Sequence, residues 1–96
     1  MSYELEFDPR ALKEWKKLGS TVRSQFKKKL AEVLVHPHVE SARLHDLPDC
    51  YKIKLKTAGY RLVYQVREEI VVVMVIAVGK REKSAVYASA DKRLDE

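Results

Sequence analysis

The sequence predicts an α+β fold: one domain over residues 1–96, built as a small, largely antiparallel four-stranded sheet with a helical hairpin on one face, in the order β-α-α-β-β-β-α. Two neighbouring segments, Cys50 to Lys56 and Tyr60 to Val66, alternate in side-chain character around the turn signal Thr57-Ala58-Gly59. That is the period of paired strands with one buried face. Ile70 to Val78 is apolar throughout, which suits a central strand covered on both sides. Earlier in the chain, apolar residues recur at helical spacing. A chain of 96 residues can bury one compact core but not two.

Each element has a local cause. Tyr3-Glu4-Leu5-Glu6-Phe7 alternates apolar and acidic residues, the pattern of a half-buried strand. Asp8-Pro9 then opens a helix, since Asp8 can accept from free amides and proline suits the first helical position. Ala11, Leu12, Trp15 and Leu18 form its apolar stripe, and Gly19 is placed to end it. Ser20 can cap a second helix, whose stripe is Val22, Phe26, Leu30, Val33 and Leu34 and which Pro37 stops. His36 to Pro48 reads as an irregular connection. In the next two strands Tyr51, Ile53 and Leu55 share one face with Tyr60, Leu62, Tyr64 and Val66. A slip of one residue would turn these outward, so the register is Leu55 with Tyr60, Ile53 with Leu62 and Tyr51 with Tyr64. Arg67-Glu68-Glu69 turns into the apolar strand, and Gly79 to Lys83 is a polar crossing. Ser84 can cap a last helix with Val86, Ala90 and Leu94 on one face.

Composition narrows the function classes. No apolar run approaches the roughly 20 residues a membrane helix needs, and Met1-Ser2-Tyr3-Glu4 does not begin a signal peptide. Cys50 is the only cysteine, so no internal disulfide or cysteine-based zinc site can form, which fits a reducing cytosol. The formal charge is +5, with 19 Lys and Arg. Such a surface attracts phosphate-rich polymers, and also acidic proteins or anionic membranes. His36, His38 and His45 lie in the irregular connection without carboxylate or cysteine ligands at useful spacing, so no metal or cofactor is expected.

The register places Lys54 opposite Arg61, on the face that also carries Lys52 and Lys56. Like charges directly opposed across a sheet repel, an arrangement that makes more sense if an anion lies between them. Arg81 leaves the central strand, and Tyr87 lies about one turn past Ser84. If the last helix folds back beside the sheet, both reach the cationic face. A phosphate held there would meet several cations, and arginine binds it bidentately. RNA carries its own nucleophile, the 2′-hydroxyl, so alignment and charge stabilisation go far without a metal. Alone, each residue has a plainer reading. Lysines alternating on a strand are an ordinary solvated face, Arg81 in a loop serves solubility, and Tyr87 packs half-buried. Lys27, Lys28 and Lys29 fan around their helix as a solvated surface does, with RNA contact the minority reading.

Four segments resemble RelE toxins of the RelE/ParE superfamily. They are Asp8-Pro9-Arg10-Ala11-Leu12-Lys13-Glu14-Trp15-Lys16-Lys17-Leu18-Gly19-Ser20, Cys50-Tyr51-Lys52-Ile53-Lys54-Leu55, Gly59-Tyr60-Arg61-Leu62-Val63-Tyr64 and Val78-Gly79-Lys80-Arg81-Glu82. The resemblance covers almost the whole chain and is close to enterobacterial chromosomal and plasmid-borne members. It implies a cytoplasmic, metal-independent endoribonuclease that enters the A site of the 70S ribosome. There it cuts the mRNA codon by 2′-hydroxyl attack, leaving a 2′,3′-cyclic phosphate and a 5′-hydroxyl. The family's working residues fall on Lys52, Lys54, Arg61, Arg81 and Tyr87, all present. By the same resemblance Tyr87 is a candidate general base, a role Lys52 or Lys54 could share. Lys54 and Arg61 would stabilise the phosphorane. Arg81 would be a phosphate ligand or the proton donor to the leaving oxygen, and charge stabilisation is the favoured role, since a guanidinium hardly gives up its proton. Lys27, Lys28, Lys29, Lys56, Lys80 and Lys83 are expected RNA- or ribosome-binding residues.

The resemblance also implies a RelB-type antitoxin that wraps the domain and carries operator DNA binding for both proteins, with the toxin modulating repression. The short last helix buries little surface, so its displacement costs little and would move Tyr87 out of the site. Two other functions remain open to the sequence: a ParE-like gyrase poison, and a non-catalytic inhibitor that binds the ribosome through its basic faces.

Overall fold

The structure, a computed structural model, describes residues 2–55, 59–80 and 85–95. Strand β1 (Glu4–Phe7) leads into helices α1 (Pro9–Lys16) and α2 (Ser20–Val35). A 3-10 turn (Glu40–Ala42) and a short strand β2 (Arg43–Leu44) come next, and a second 3-10 turn (Glu68–Ile70) precedes the last strand. Then follow β3 (Cys50–Leu55), β4 (Tyr60–Arg67), β5 (Val72–Lys80) and helix α3 (Ala85–Leu94). The sheet order is β1-β5-β4-β3-β2, with β1 parallel to β5 and the other pairings antiparallel. The sheet therefore has five strands rather than the four expected. The added strand, β2, pairs Arg43 with Tyr51 and Leu44 with Cys50 inside the segment read as irregular. Two residues are too few to display a period.

Asp8 caps α1 as expected, its carboxylate accepting from the Arg10 backbone N–H at 2.8 Å with Pro9 opening the helix. The Arg10 side chain turns back onto the same carboxylate at 3.1 Å and holds it below the usual carboxylate range. The break between the helices differs from expectation. α1 ends at Lys16, and Gly19 is the extended N-cap of α2 (φ −64°), not a left-handed terminator of α1. Ser20 is the first residue inside α2 rather than its cap. The N–H groups of Lys17 and Leu18 close on the carbonyls of Glu14 and Trp15. This tightening turns Leu18 into the core, where it is buried.

The hairpin covers one face of the sheet. Ala11, Leu18, Phe26, Leu30 and Val33 pack with Tyr51, Ile53, Leu55, Leu62, Tyr64 and Val75. Trp15 stands between Phe7 and Phe26, with ring centroids 5.3 and 6.1 Å away. Leu12, expected in the stripe, stays 36% exposed at its edge. Buried Tyr64 donates its hydroxyl to the Pro37 carbonyl at 2.8 Å, which anchors the chain as it leaves α2. Desolvation pushes the Tyr64 phenol well above its ordinary value.

The expected pairings of Leu55 with Tyr60, Lys54 with Arg61, Ile53 with Leu62 and Tyr51 with Tyr64 are all present. β5 begins two residues later than the apolar run suggests. Ile70 and Val71 are exposed in a turn where Val71 takes a left-handed conformation (φ 54°). At its far end β5 continues through Gly79 and Lys80, because Arg61 and Tyr60 of β4 extend the ladder there. Between these ends lies a bulge: Val63 pairs with Ala77 but Tyr64 with Val75, leaving Ile76 as the extra residue. Ile76 and Ala77 consequently both join a second cluster, with Leu47, Cys50, Val63, Val86 and Ala90. That cluster is the seat of α3, which lies across the sheet from the hairpin. The helices are therefore split between two faces and not gathered on one.

Candidate active site

Lys52 and Lys54 point from β3, and Arg61 from β4, to the face that holds α3. The strand alternation requires this: Tyr51, Ile53, Leu55 and Leu62 all pack under the hairpin. Lys54 and Arg61 are Cα partners, and Lys52 is partnered by Val63. Lys52 and Arg61 are half-buried, whereas Lys54 is exposed. Val86 and Ala90 seat α3 on the sheet, and Tyr87, in the first turn, reaches toward β4. Arg61 Nη1 donates to Tyr87 Oη at 2.6 Å, and its guanidinium carbon lies 5.6 Å from the ring centroid. A guanidinium has no acceptor, so the phenol hydrogen is directed elsewhere than Arg61.

The other expected residues are distributed unevenly. Arg81, Lys56 and Lys83 lie outside the described residues, as do Ser84 and the Thr57-Ala58 part of the turn. Gly59, which completes that turn, is left-handed at φ 68°, where an L side chain would be strained. Lys80 is partnered by Tyr60, which packs with the hairpin cluster, so it lies on the other face from Arg61. Lys27 and Lys28 are exposed on α2. Lys29 and Glu32 line a cleft of about 190 Å³ with Lys52 and Lys54 at the edge of β3 that β2 leaves open. Of the three α2 lysines, Lys29 is thus the one that borders the cationic strand.

A larger cavity of about 630 Å³ opens beside Tyr87, between Arg43–Leu47 and the first turns of α3. His45, Asp46 and Asp91 line it. An imidazole and two carboxylates therefore border the site, because the segment that carries His45 folds beside α3. His38 instead pairs with Glu68 at 2.6 Å and packs edge-on against Tyr3 and Tyr51. No group of three or more His, Cys, Asp or Glu that could hold a metal ion occurs among the described residues. Cys50 is buried below the cationic face, and desolvation pushes its thiol up to about 12.

Glu14 and Arg93 were not singled out in the sequence, yet they join three elements. Arg93 Nη1 and Nη2 donate to the two Glu14 carboxylate oxygens at 2.8 and 3.2 Å, and Nη1 also reaches the Ile76 carbonyl at 2.8 Å. Glu14 accepts in addition from the Val78 backbone N–H at 3.1 Å. A basic residue in the last turn of α3 was the available signal, but its partner lies 79 positions away.

With this geometry in hand, comparison with known proteins is decisive. The family described as ParE toxin of type II toxin-antitoxin system, parDE, matches residues 5–85. The mRNA interferase toxin RelE of Escherichia coli K12 is 66% identical over 94 residues, covering 98% of this chain and 99% of that protein. The chain belongs to the RelE/ParE toxin superfamily. Within it the chain is RelE-like: a relative named mRNA interferase RelE in Shigella flexneri is also 66% identical, over 98% of the chain and 99% of the relative. The solved structure of a double-arginine variant of E. coli RelE in the free state superposes with a TM-score of 0.91. It shares 65% identity and covers 98% of this chain and 99% of that one. The E. coli RelBE toxin–antitoxin complex matches with a TM-score of 0.83 at 66% identity, over 85% of this chain and all of that one. An archaeal RelE–RelB complex from Pyrococcus horikoshii, at 17% identity and a TM-score of 0.65 over 86% and 99% of the two chains, shares the fold.

Proposed function

We propose that this RelE-like chain is the toxin of a type II toxin–antitoxin pair and acts as an mRNA interferase neutralised by a RelB-type antitoxin. The observation that carries the reading is the Arg61–Tyr87 contact at 2.6 Å, on a face whose other strand presents Lys52 and Lys54. Two relatives at 66% identity bear the name mRNA interferase.

In this mechanism the scissile phosphate binds over the Lys54–Arg61 pair, where repulsion between the two cations is relieved by its negative charge. The 2′-oxygen attacks phosphorus, and its proton passes to Tyr87 once that phenol has given up its own proton to solvent, or to a neighbouring lysine in its neutral amine form. Arg61, Lys54 and Arg81 stabilise the charge that builds on the phosphorane. The P–O5′ bond breaks, the 5′-oxygen takes up a proton from solvent, and a 2′,3′-cyclic phosphate remains. The cavity beside Tyr87 gives room for the flanking nucleotide.

A site that relies on lysines, arginines and a phenol for proton transfer depends on substrate alignment. We assign that alignment to the 70S ribosome, whose A site would hold the codon bent. Lys29, Lys52 and Lys54 border one cleft and form the described part of the RNA path. Lys27, Lys28, Lys56, Lys80 and Lys83 are proposed as wider ribosomal contacts. The toxin works in the cytoplasm and meets operator DNA only through the antitoxin. No helix among the described residues is long and apolar enough to cross a membrane.

The test uses purified protein, ribosomes programmed with a defined mRNA, and the same mRNA free in buffer, with products mapped by primer extension. Cuts within the A-site codon, seen only with ribosomes and lost in Arg81→Ala, are expected. Cutting of free mRNA at a comparable rate refutes ribosome dependence. No cutting in either sample, together with inhibition of gyrase supercoiling, replaces this reading with a ParE-like one.

A further inference from the structure

We infer that Arg93 and Glu14 are positioning residues for the cleavage reaction: their ion pair is the latch that keeps α3 on the sheet with Tyr87 against Arg61. The inference rests on the proposed role of Tyr87 in cutting RNA.

The latch follows from how the sheet ends. β1 pairs with β5 only as far as Phe7 and Val75, after which the Asp8 N–H bonds to the Val75 carbonyl and the chain turns into α1. From Ile76 onward the outer edge of β5 has no neighbouring strand among the described residues. Backbone groups in that position need side-chain partners or water. Here Glu14 of α1 accepts from the Val78 N–H and Arg93 of α3 donates to the Ile76 carbonyl. The two side chains then close on each other through a two-pronged contact of 2.8 and 3.2 Å. The Arg93 side chain is only 13% exposed, so the pair is far better shielded than a surface salt bridge. Glu14 and Arg93 thus replace the missing length of β1 and tie α1, β5 and α3 into one network.

This matters for Tyr87 because α3 is short. It runs from Ala85 to Leu94, and its buried residues are Val86 and Ala90. Tyr87 and Leu94 pack partly buried beside them, so the apolar seat defines where the helix lies but, with two small fully covered side chains at its centre, resists tilting weakly. Arg93 is six positions after Tyr87, about 9 Å along a helix. One end of the helix is therefore pinned by an ionic lock on the far side of β5, and the other presents the phenol to β4. Loss of the lock frees the last turn, and the tilt that follows is transmitted along the rigid helix to the 2.6 Å contact with Arg61. A misplacement of about 1 Å in a reacting group can cost on the order of 10²-fold in rate.

The experiment compares single-turnover cleavage on programmed ribosomes for the native chain, Arg93→Ala, Arg93→Lys, Glu14→Gln and Tyr87→Phe, and for Arg93→Ala combined with Tyr87→Phe. Arg93→Ala is expected to lower the rate at saturating ribosomes by roughly 10–10²-fold, with the ribosome concentration for half-maximal rate unchanged. Arg93→Lys recovers part of the loss, since it keeps the charge without the planar fork. Glu14→Gln keeps an acceptor for the Val78 N–H and falls between the two. In the Tyr87→Phe background the Arg93→Ala change should have little further effect, because the phenol it positions is already gone. In parallel, NMR of protein labelled with ¹³C-tyrosine follows the Tyr87 ring, assigned by its disappearance in Tyr87→Phe. That signal should shift or broaden in Arg93→Ala while the buried Tyr64 signal stays in place. Native-rate cutting by Arg93→Ala, or an equal loss in both backgrounds, overturns the latch. If Tyr87→Phe itself cuts at the native rate, the reading of Tyr87 has failed instead. The ring signal then decides the latch alone, and an unmoved Tyr87 resonance in Arg93→Ala rejects it.

Discussion

The two faces of the sheet are built to opposite ends. Under the hairpin lie fully buried Phe26, Leu30, Leu62 and Tyr64, with Tyr51 stacked on Tyr64 at 5.5 Å between centroids. Across the sheet, apolar packing stops at a smaller cluster around Val63, Ala77 and Ala90, and the strands beyond it carry Lys52, Lys54 and Arg61. The same two strands, β3 and β4, supply both faces, because their side chains alternate. One face therefore holds the strands in register, and the other can set like charges opposite each other at a tolerable cost. The comparison teaches that a small protein can gather cations on one face of a sheet if the core one pleat away holds the strands in register.

Measurements at four positions would break or sharpen this contrast. Phe26→Ala opens a cavity at the centre of the hairpin face and should cost about 3–5 kcal/mol in urea unfolding. Cutting by whatever protein stays folded should hold near the native rate. A loss under 1 kcal/mol would mean that stability is not concentrated on that face. Arg61→Ala should do the reverse. Removing one donor that faces the developing charge should lower cleavage by roughly 10²–10³-fold, about 2.7–4 kcal/mol. Stability should change little, as the lost hydrogen bond to Tyr87 is a half-exposed contact whose net contribution is about 1 kcal/mol. Strong unfolding with Arg61→Ala would show the cationic face to be structural.

Cys50 probes the floor of that face. Its thiol donates to the Pro48 carbonyl at 3.3 Å, and burial is the main reason it is raised to about 12. Ellman's reagent at neutral pH should leave it unmodified until the chain unfolds, and rapid labelling of the native protein would show that α3 does not seal this face. The thiol is raised above its unfolded value of about 8.5, so its stabilising effect is complete below that pH. It is lost as pH rises from there toward 12, at up to about 1.4 kcal/mol per pH unit. Cys50→Ala should remove that slope from urea midpoints measured at several pH values. The smallest effect is expected away from both faces. Val71 is a β-branched residue held left-handed at φ 54° and is 44% exposed. Val71→Gly should raise stability by about 1 kcal/mol by relieving that strain. A loss of stability would assign Val71 a packing role that its exposure does not suggest.

Some of this molecule was decided by local chemistry and was legible as such. Alternation in β3 and β4 determined the register, and the register alone brought Lys54 and Arg61 together, because a one-residue slip would have turned Ile53 and Leu62 to solvent. Asp8-Pro9 determined where α1 starts. Tyr87 joins the cations through the fold-back of the last helix, which the family resemblance implies. What the sequence could not decide were events in which distant segments meet. The bulge at Ile76 sends two consecutive apolar residues to one face, and a uniformly apolar strand carries no mark of where its alternation breaks. The side of the sheet on which α3 lies follows from that bulge, and so does the placement of Lys80 away from Arg61. β2 was too short to read. His45 reached the border of the site only because its loop folds beside α3, and Glu14 found Arg93 only because β1 ends early and leaves an edge for both to satisfy. Local propensity sets period, caps and register, since those depend on neighbours in the chain. Which unsatisfied edge meets which charged side chain depends on the packed whole.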